Sequence, residues 1–141
     1  MLYLMLGDLI LEHIGKVSSK RVLDSKKEKM ENTVTSTGVA KGEIDTSFNI
    51  TYWNIHCGNG LYYGEGSGKI ISKDGGDEVK VTEYGVGRSH VHKTIWRGSS
   101  FYQIPASLND NRLSFPHGLV GVFETDVYEA ENVIEKVWEW K

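Results

Sequence analysis

The sequence predicts an all-β chain, an antiparallel up-and-down barrel of about eight strands with an N-terminal helical or flexible extension, and three observations carry that reading. Between Gly60 and Arg88, two runs rich in β-branched and aromatic residues flank an Asp74-Gly75-Gly76 turn, the pattern of a long hairpin. Along it Gly64, Gly66 and Gly68 recur at a spacing of two and are answered by Gly85 and Gly87, so one face carries almost no side-chain volume. A flat sheet gains nothing from such a stripe, whereas a sheet that coils and closes needs room on its concave side. From Thr33 onward, short runs of strand-forming residues follow one another through brief Gly-, Asn- and Asp-rich breaks. That leaves no space for crossover helices, so sequential neighbours should pair antiparallel.

Residues 1–32 read differently. Leu2, Leu4, Met5, Leu6, Leu9, Ile10, Leu11, Ile14 and Val17 recur at helical separations, with Asp8, Glu12 and His13 between them, which predicts a short amphipathic helix. Asp8 and Glu12 inside the apolar run depart from a secretory signal. The charged stretch from Lys20 to Asn32 then reads as helix or linker. The expected division is 1–32 as N-terminal helix or leader and 33–141 as barrel domain, the compact part starting close to Met30.

Strands are expected near 33–42, 47–57, 60–72, 77–89, 91–105, 111–116, 118–127 and 131–140, with Gly98 bending or dividing the fifth. Lys41-Gly42-Glu43, Gly58-Asn59-Gly60 and Asn109-Asp110-Asn111 supply turns, and Pro105 and Pro116 fall at strand ends, where a missing N–H costs little. The run Asn132 to Trp140 fits helical spacing as well as a strand with Ile134, Trp138 and Trp140 on one face. Strand is preferred, because a closing barrel needs a last partner for its first strand.

A four-residue turn at 73–76 sets Ser72 against Asp77 and puts the pairs Ile70/Val79, Gly68/Val81, Gly66/Glu83 and Gly64/Gly85 on one face. Glu83 is then an isolated carboxylate pointing inward, which must be paired, hydrogen-bonded or protonated. The outer face acquires an unfavourable Lys69/Lys80 pairing. On the preceding strand Tyr52, Asn54 and His56 share a face with Phe48 and Ile50 and are candidates to line a cavity. Trp96, Phe101, Phe115 and Phe123 read as core aromatics, with Trp96 also a cavity candidate. Arg88, Arg97 and Arg112 are the donors available to a ligand carboxylate. The expected ligand-binding set is Tyr52, Asn54, His56, Glu83, Trp96 and Arg97.

Other chemistries find less support. The string Gly85-Val-Gly-Arg-Ser-His-Val-His92 resembles the His-x-His opening of the cupin motif over about eight residues, but the glutamate expected just beyond it is absent from Lys93 to Gly98. Histidines at a barrel rim are the preferred reading, and no metal or other cofactor is expected. Cys57, the single cysteine, has no evident activator and reads as a small buried hydrophobe; it rules out a disulfide framework and suits a reducing, cytoplasmic compartment. Ser99 and Ser100 sit in a turn composition. The glycine stripe leads into more strand rather than a helix, unlike a phosphate-binding loop. A net charge of −3 with intermixed signs provides no field for nucleic acid, and no apolar run approaches the length of a transmembrane segment.

The meander, the Gly-x-Gly-x-Gly strand and the aromatic pattern together make residues 33–141 similar in architecture to the calycin-type and allene-oxide-cyclase-type small barrels. The resemblance implies an interior that holds an apolar or amphipathic molecule, and in some members a reaction guided by shape with few catalytic side chains. The Gly-x-Trp opening of lipocalins is absent, so no binding residue is carried over by position. The leading expectation is binding of a small hydrophobic or amphipathic ligand in the interior. Two alternatives stand beside it. One is a cyclase, isomerase or lyase with Glu83 as proton donor or acceptor and Tyr52, His56 or Arg97 orienting substrate; the other is a homo-oligomeric or structural module using aromatics of the terminal strand.

Overall fold

The computed structural model describes residues 6–104, 113 and 117–141. Eight strands follow in chain order, β1 (Leu6–Asp24), β2 (Lys29–Ala40), β3 (Ile44–His56), β4 (Leu61–Ser72), β5 (Glu78–His90), β6 (Lys93–Gln103), β7 (Val120–Tyr128) and β8 (Asn132–Trp140), and every neighbour is antiparallel. β8 returns to pair with β1, and the sheet closes. The result is the expected all-β barrel, a calycin-like architecture at the level of the fold.

The register of the central hairpin is the one a four-residue turn at 73–76 implies, with Gly64 opposite Gly85, Gly66 opposite Glu83, Gly68 opposite Val81 and Ile70 opposite Val79. Lys69 does face Lys80, and Lys69 turns its ammonium toward Glu78, 3.7 Å away. Following the pairing from His56 through Tyr62, Gly87, Trp96, Thr125, Glu135, His13 and Gly38 returns to β3 at Thr46, ten residues from the start. Such a stagger tilts the strands against the barrel axis, and with eight strands it leaves an interior just wide enough for side chains or one small ligand.

The N-terminal helix is the main correction. Leu6–Asp24 is the longest strand, and Lys29–Ala40 is its hairpin partner, so barrel structure includes residues assigned to a leader. Register shifts between Leu6 and Leu9 and between Leu9 and Leu11 break the alternation of a regular strand. As a result Ile10 and Leu11 are both buried, and regular alternation through His13 and Val17 starts only there; exposed Leu9 and Ile14 complete the apolar spacing that imitates a helix. The terminal run 132–140 is a strand, as closure required. The expected strand at 111–116 lies outside the described residues except for Leu113, which is buried in the core.

One half of the lumen is filled by Ile10, Phe48, Ile70, Val79, Val81, Tyr102, Leu113 and Val137, all at most 5% exposed. Burial at this level contributes roughly 1.5–3 kcal/mol per large aliphatic or aromatic side chain. In the other half, aromatic rings occupy the space that glycines vacate. A Cβ on Gly87 would stand 2.7 Å from the Trp96 ring, and one on Gly85 2.8 Å from Phe123.

Two residues read as buried lie outside. Phe101 projects from the outer face in a T-shaped contact with Tyr84, centroids 6.0 Å apart, because its neighbours Ser100 and Tyr102 take the inward positions. Cys57 is exposed in the turn after β3.

Candidate functional site

Strand alternation sends Phe48, Ile50 and Tyr52 of β3, Glu83 of β5, Trp96 of β6, Phe123, Thr125 and Val127 of β7, and Val133 and Glu135 of β8 into one region of the lumen. With Gly64, Gly66 and Gly85 completing the wall, they enclose a cavity of about 60 Å³. A drug-sized ligand occupies a pocket of roughly 300–1,000 Å³, so this space admits a small group rather than a whole large molecule. Toward the β3–β4 turn, aromatic rings stand in contact. The centroids of Tyr52 and Trp96 are 6.0 Å apart, those of Tyr62 and Trp96 6.3 Å, and those of His56 and Tyr62 4.8 Å.

The chemistry of the cavity is set by two carboxyl groups. Glu83 and Glu135 are 9% and 7% exposed, and they lie close enough for each to bear on the other's proton. The Thr125 hydroxyl donates to Glu135 Oε2 at 2.8 Å, whereas Glu83 Oε2 is buried without a hydrogen-bond partner. Burial, reinforced by the neighbouring Glu135, pushes the Glu83 carboxyl well above the ordinary carboxylate range. Burial also pushes Glu135 up to about 7, against the opposing hydrogen bonds from Thr125 and Glu83. Two acids so close in a dry site cannot both ionise freely, and near neutral pH they share a proton. The same surroundings act on two phenols. Burial and then the charge of Glu83 raise Tyr102 well above its usual value, and its hydroxyl lies 2.8 Å from Ser100 Oγ. Burial raises Tyr52, whose hydroxyl accepts from Asn32 Nδ2 at 3.3 Å.

A second polar cluster adjoins the first. His13 sits opposite Glu135 in the β1–β8 pairing, with Nε2 2.8 Å from Thr46 Oγ1 and Nδ1 3.4 Å from Ser36 Oγ, and Ser36 also borders the cavity. Burial lowers the His13 pKa to about 4, so the ring is neutral at pH 7.

Of the six residues expected from sequence, Tyr52, Glu83 and Trp96 line the cavity. Asn54 is buried on the inward face without lining it. His56 stands at the rim, Nδ1 2.7 Å from Glu28 Oε2. Arg97 is on the outer wall, its Nε 3.0 Å from Glu124 Oε2; it follows Trp96 directly, and consecutive strand residues face opposite sides. Arg88 is likewise exposed, and Arg112 lies outside the described residues. The expected isolation of Glu83 is also corrected, because Glu135 supplies a partner. Neither Glu135 nor His13 belongs to the expected set, although Val133-x-Glu135-x-Val137 is an inward alternation legible in the chain. His90 and His92 do not share a strand face. β5 ends at His90, and His92 occupies the turn with φ 69°, Nδ1 3.3 Å from Glu129 Oε2. Among the described residues no group of three or more His, Cys, Asp or Glu side chains is placed to hold a metal ion. No described helix is long and apolar enough to cross a membrane.

Comparison with protein-family models, with curated proteins and with solved structures finds no match to this chain.

Proposed function

We propose that the barrel binds a small amphipathic molecule in its lumen, beside the Glu83–Glu135 pair. The cavity supports this reading most directly, because it joins an apolar wall of Phe48, Ile50, Phe123 and Val133 to two carboxyl groups. An apolar pocket with a few convergent polar groups is the arrangement that fixes a small ligand and its orientation. The volume of about 60 Å³ accommodates one end of such a molecule, the remainder passing the Tyr52 and Trp96 rings. Residence in the cytoplasm belongs to this proposal and rests on the single cysteine.

Native mass spectrometry and amide chemical-shift mapping against small amphipathic metabolites test it. Shifts should centre on Tyr52, Glu83, Trp96 and Thr125, and Val127→Trp, which fills the partly buried cavity wall, should abolish them. Shifts confined to the outer strand faces, or undiminished in Val127→Trp, contradict the reading.

The proton-sharing pair favours a second use of the same lumen. A carboxyl that titrates near neutrality suits general acid–base work, so an isomerase, cyclase or lyase in which Glu83 and Glu135 move a proton is the runner-up. His56 at the rim and Arg97 on the outer wall take no part in that version. Glu83→Gln should remove at least about a hundredfold of any turnover found on an identified substrate.

A further inference from the structure

Resting on the ligand-binding reading above, one property of the lumen narrows the chemistry of its occupant. We propose that the cavity receives an organic ammonium group, the nitrogen lodging between Glu83 Oε2 and Glu135 and the alkyl or aryl tail leaving past Tyr52 and Trp96.

Four observations converge on a cationic donor. Glu83 lines the cavity, and its Oε2 is buried and lacks a hydrogen-bond partner, so an acceptor is left at this wall for a donor that the barrel does not provide. Among the described residues lining the cavity there is no Lys, Arg or His, and the arginines once suited to a carboxylate ligand, Arg88 and Arg97, lie outside. An anionic head would therefore meet two acids and no counter-charge, whereas an ammonium makes charge-assisted hydrogen bonds to both. The Tyr52, Tyr62 and Trp96 rings form an aromatic border that suits a cation and the carbons beside it. Finally, Phe48, Ile50, Phe123 and Val133 provide apolar contact for the carbons next to the nitrogen.

A bare metal ion fits less well. A hard cation asks for six or more oxygen ligands, and the cavity presents the two carboxyls and the Thr125 hydroxyl against an otherwise apolar wall.

Binding an ammonium favours the ionised pair and expels the shared proton, so affinity rises with pH. The groups that bear on this titration are Tyr102 and Ser100 of β6 and Tyr52 of β3 beside Glu83, Thr125 of β7 on Glu135, and neutral His13 of β1 opposite Glu135.

The test compares hexylammonium, 1-hexanol and hexanoate, equal in length and different in head group, binding to the full chain at pH 8 by calorimetry and amide chemical-shift mapping. Hexylammonium should bind at least about tenfold tighter than 1-hexanol, and hexanoate should not bind. Its affinity should fall between pH 8 and pH 5. Glu83→Gln, which keeps the side-chain shape, should lose about tenfold or more for hexylammonium and erase most of its advantage over 1-hexanol. Glu135→Gln gives the same comparison on a second background, and spectral dispersion establishes that each variant is folded. Equal affinity for the alcohol and the ammonium, tighter binding of hexanoate, or an unaltered Glu83→Gln overturns the ammonium assignment and leaves the ligand-binding lumen standing. Absence of binding by all three probes overturns both.

Discussion

His13 of β1 and Glu135 of β8 face each other directly across the seam at which the barrel closes, and both are buried. Burial drives their protons in opposite directions. The histidine gives up its proton and the carboxyl keeps one, so the seam is neutral at the pH where either group alone would carry charge in water.

Acid should weaken the fold through His13. Its folded pKa of about 4 lies below the unfolded value of 6.5, so the unfolded chain binds more protons between those limits and stability is lost as pH falls from 6.5 to 4. The full difference is on the order of 3 kcal/mol. Urea midpoints across this range should show the loss. In His13→Gln, which retains polar atoms for Thr46 and Ser36, the acid slope should be largely gone even if the variant is less stable throughout.

The carboxyl pair acts with the opposite sign. Glu135 holds its proton up to about 7, against 4.5 for an ordinary glutamate, so the folded state binds more protons in that interval and stability falls as pH rises through it. Glu83, raised well above 4.5, contributes a loss of the same sign. Glu135→Gln should flatten the alkaline side of the stability profile and be as stable as the parent or more so above pH 7. A profile with no alkaline slope in the parent would contradict the burial of the pair.

Close packing between glycines and rings predicts a local steric cost. Gly87→Ala places a methyl group 2.7 Å from Trp96 and should destabilise by about 1–3 kcal/mol in chemical denaturation, with an altered tryptophan emission. Combining it with Trp96→Leu should recover part of the loss. Additive effects would show that Gly87 and Trp96 do not touch.

Removing residues 1–28 should abolish folding rather than trim a leader. β8 would lose its β1 partner and β2 its hairpin neighbour, opening the barrel along two edges. A truncated chain that keeps dispersed amide resonances would refute the assignment of Leu6–Asp24 to the barrel.

The parts legible in the chain are those where alternation is unbroken. A four-residue turn at 73–76 sets the β4–β5 register down to the awkward Lys69/Lys80 pair, and the same count places Glu83 inward. β1 hides in the chain because the shift near Leu9 buries Ile10 and Leu11 together, while exposed Leu9 and Ile14 add apolar residues at helical spacing. Glu135 was overlooked because Ile134, Trp138 and Trp140 form the louder apolar pattern, on the opposite face from Val133, Glu135 and Val137. Arg97 illustrates a rule neglected rather than hidden, since Trp96 and Arg97 are adjacent on a strand and cannot both point inward. The meeting of Glu83 with Glu135 is a product of closure, which joins residues more than fifty positions apart, and no local pattern encodes it.

Carbon-13 titration of the side-chain carboxyls of Glu83 and Glu135 reads the sharing of a proton inside the closed barrel directly. An inflection near pH 7 is expected for Glu135 and a strongly raised one for Glu83, both moving in concert. Two independent curves near 4.5, the value of a solvated glutamate, would contradict it.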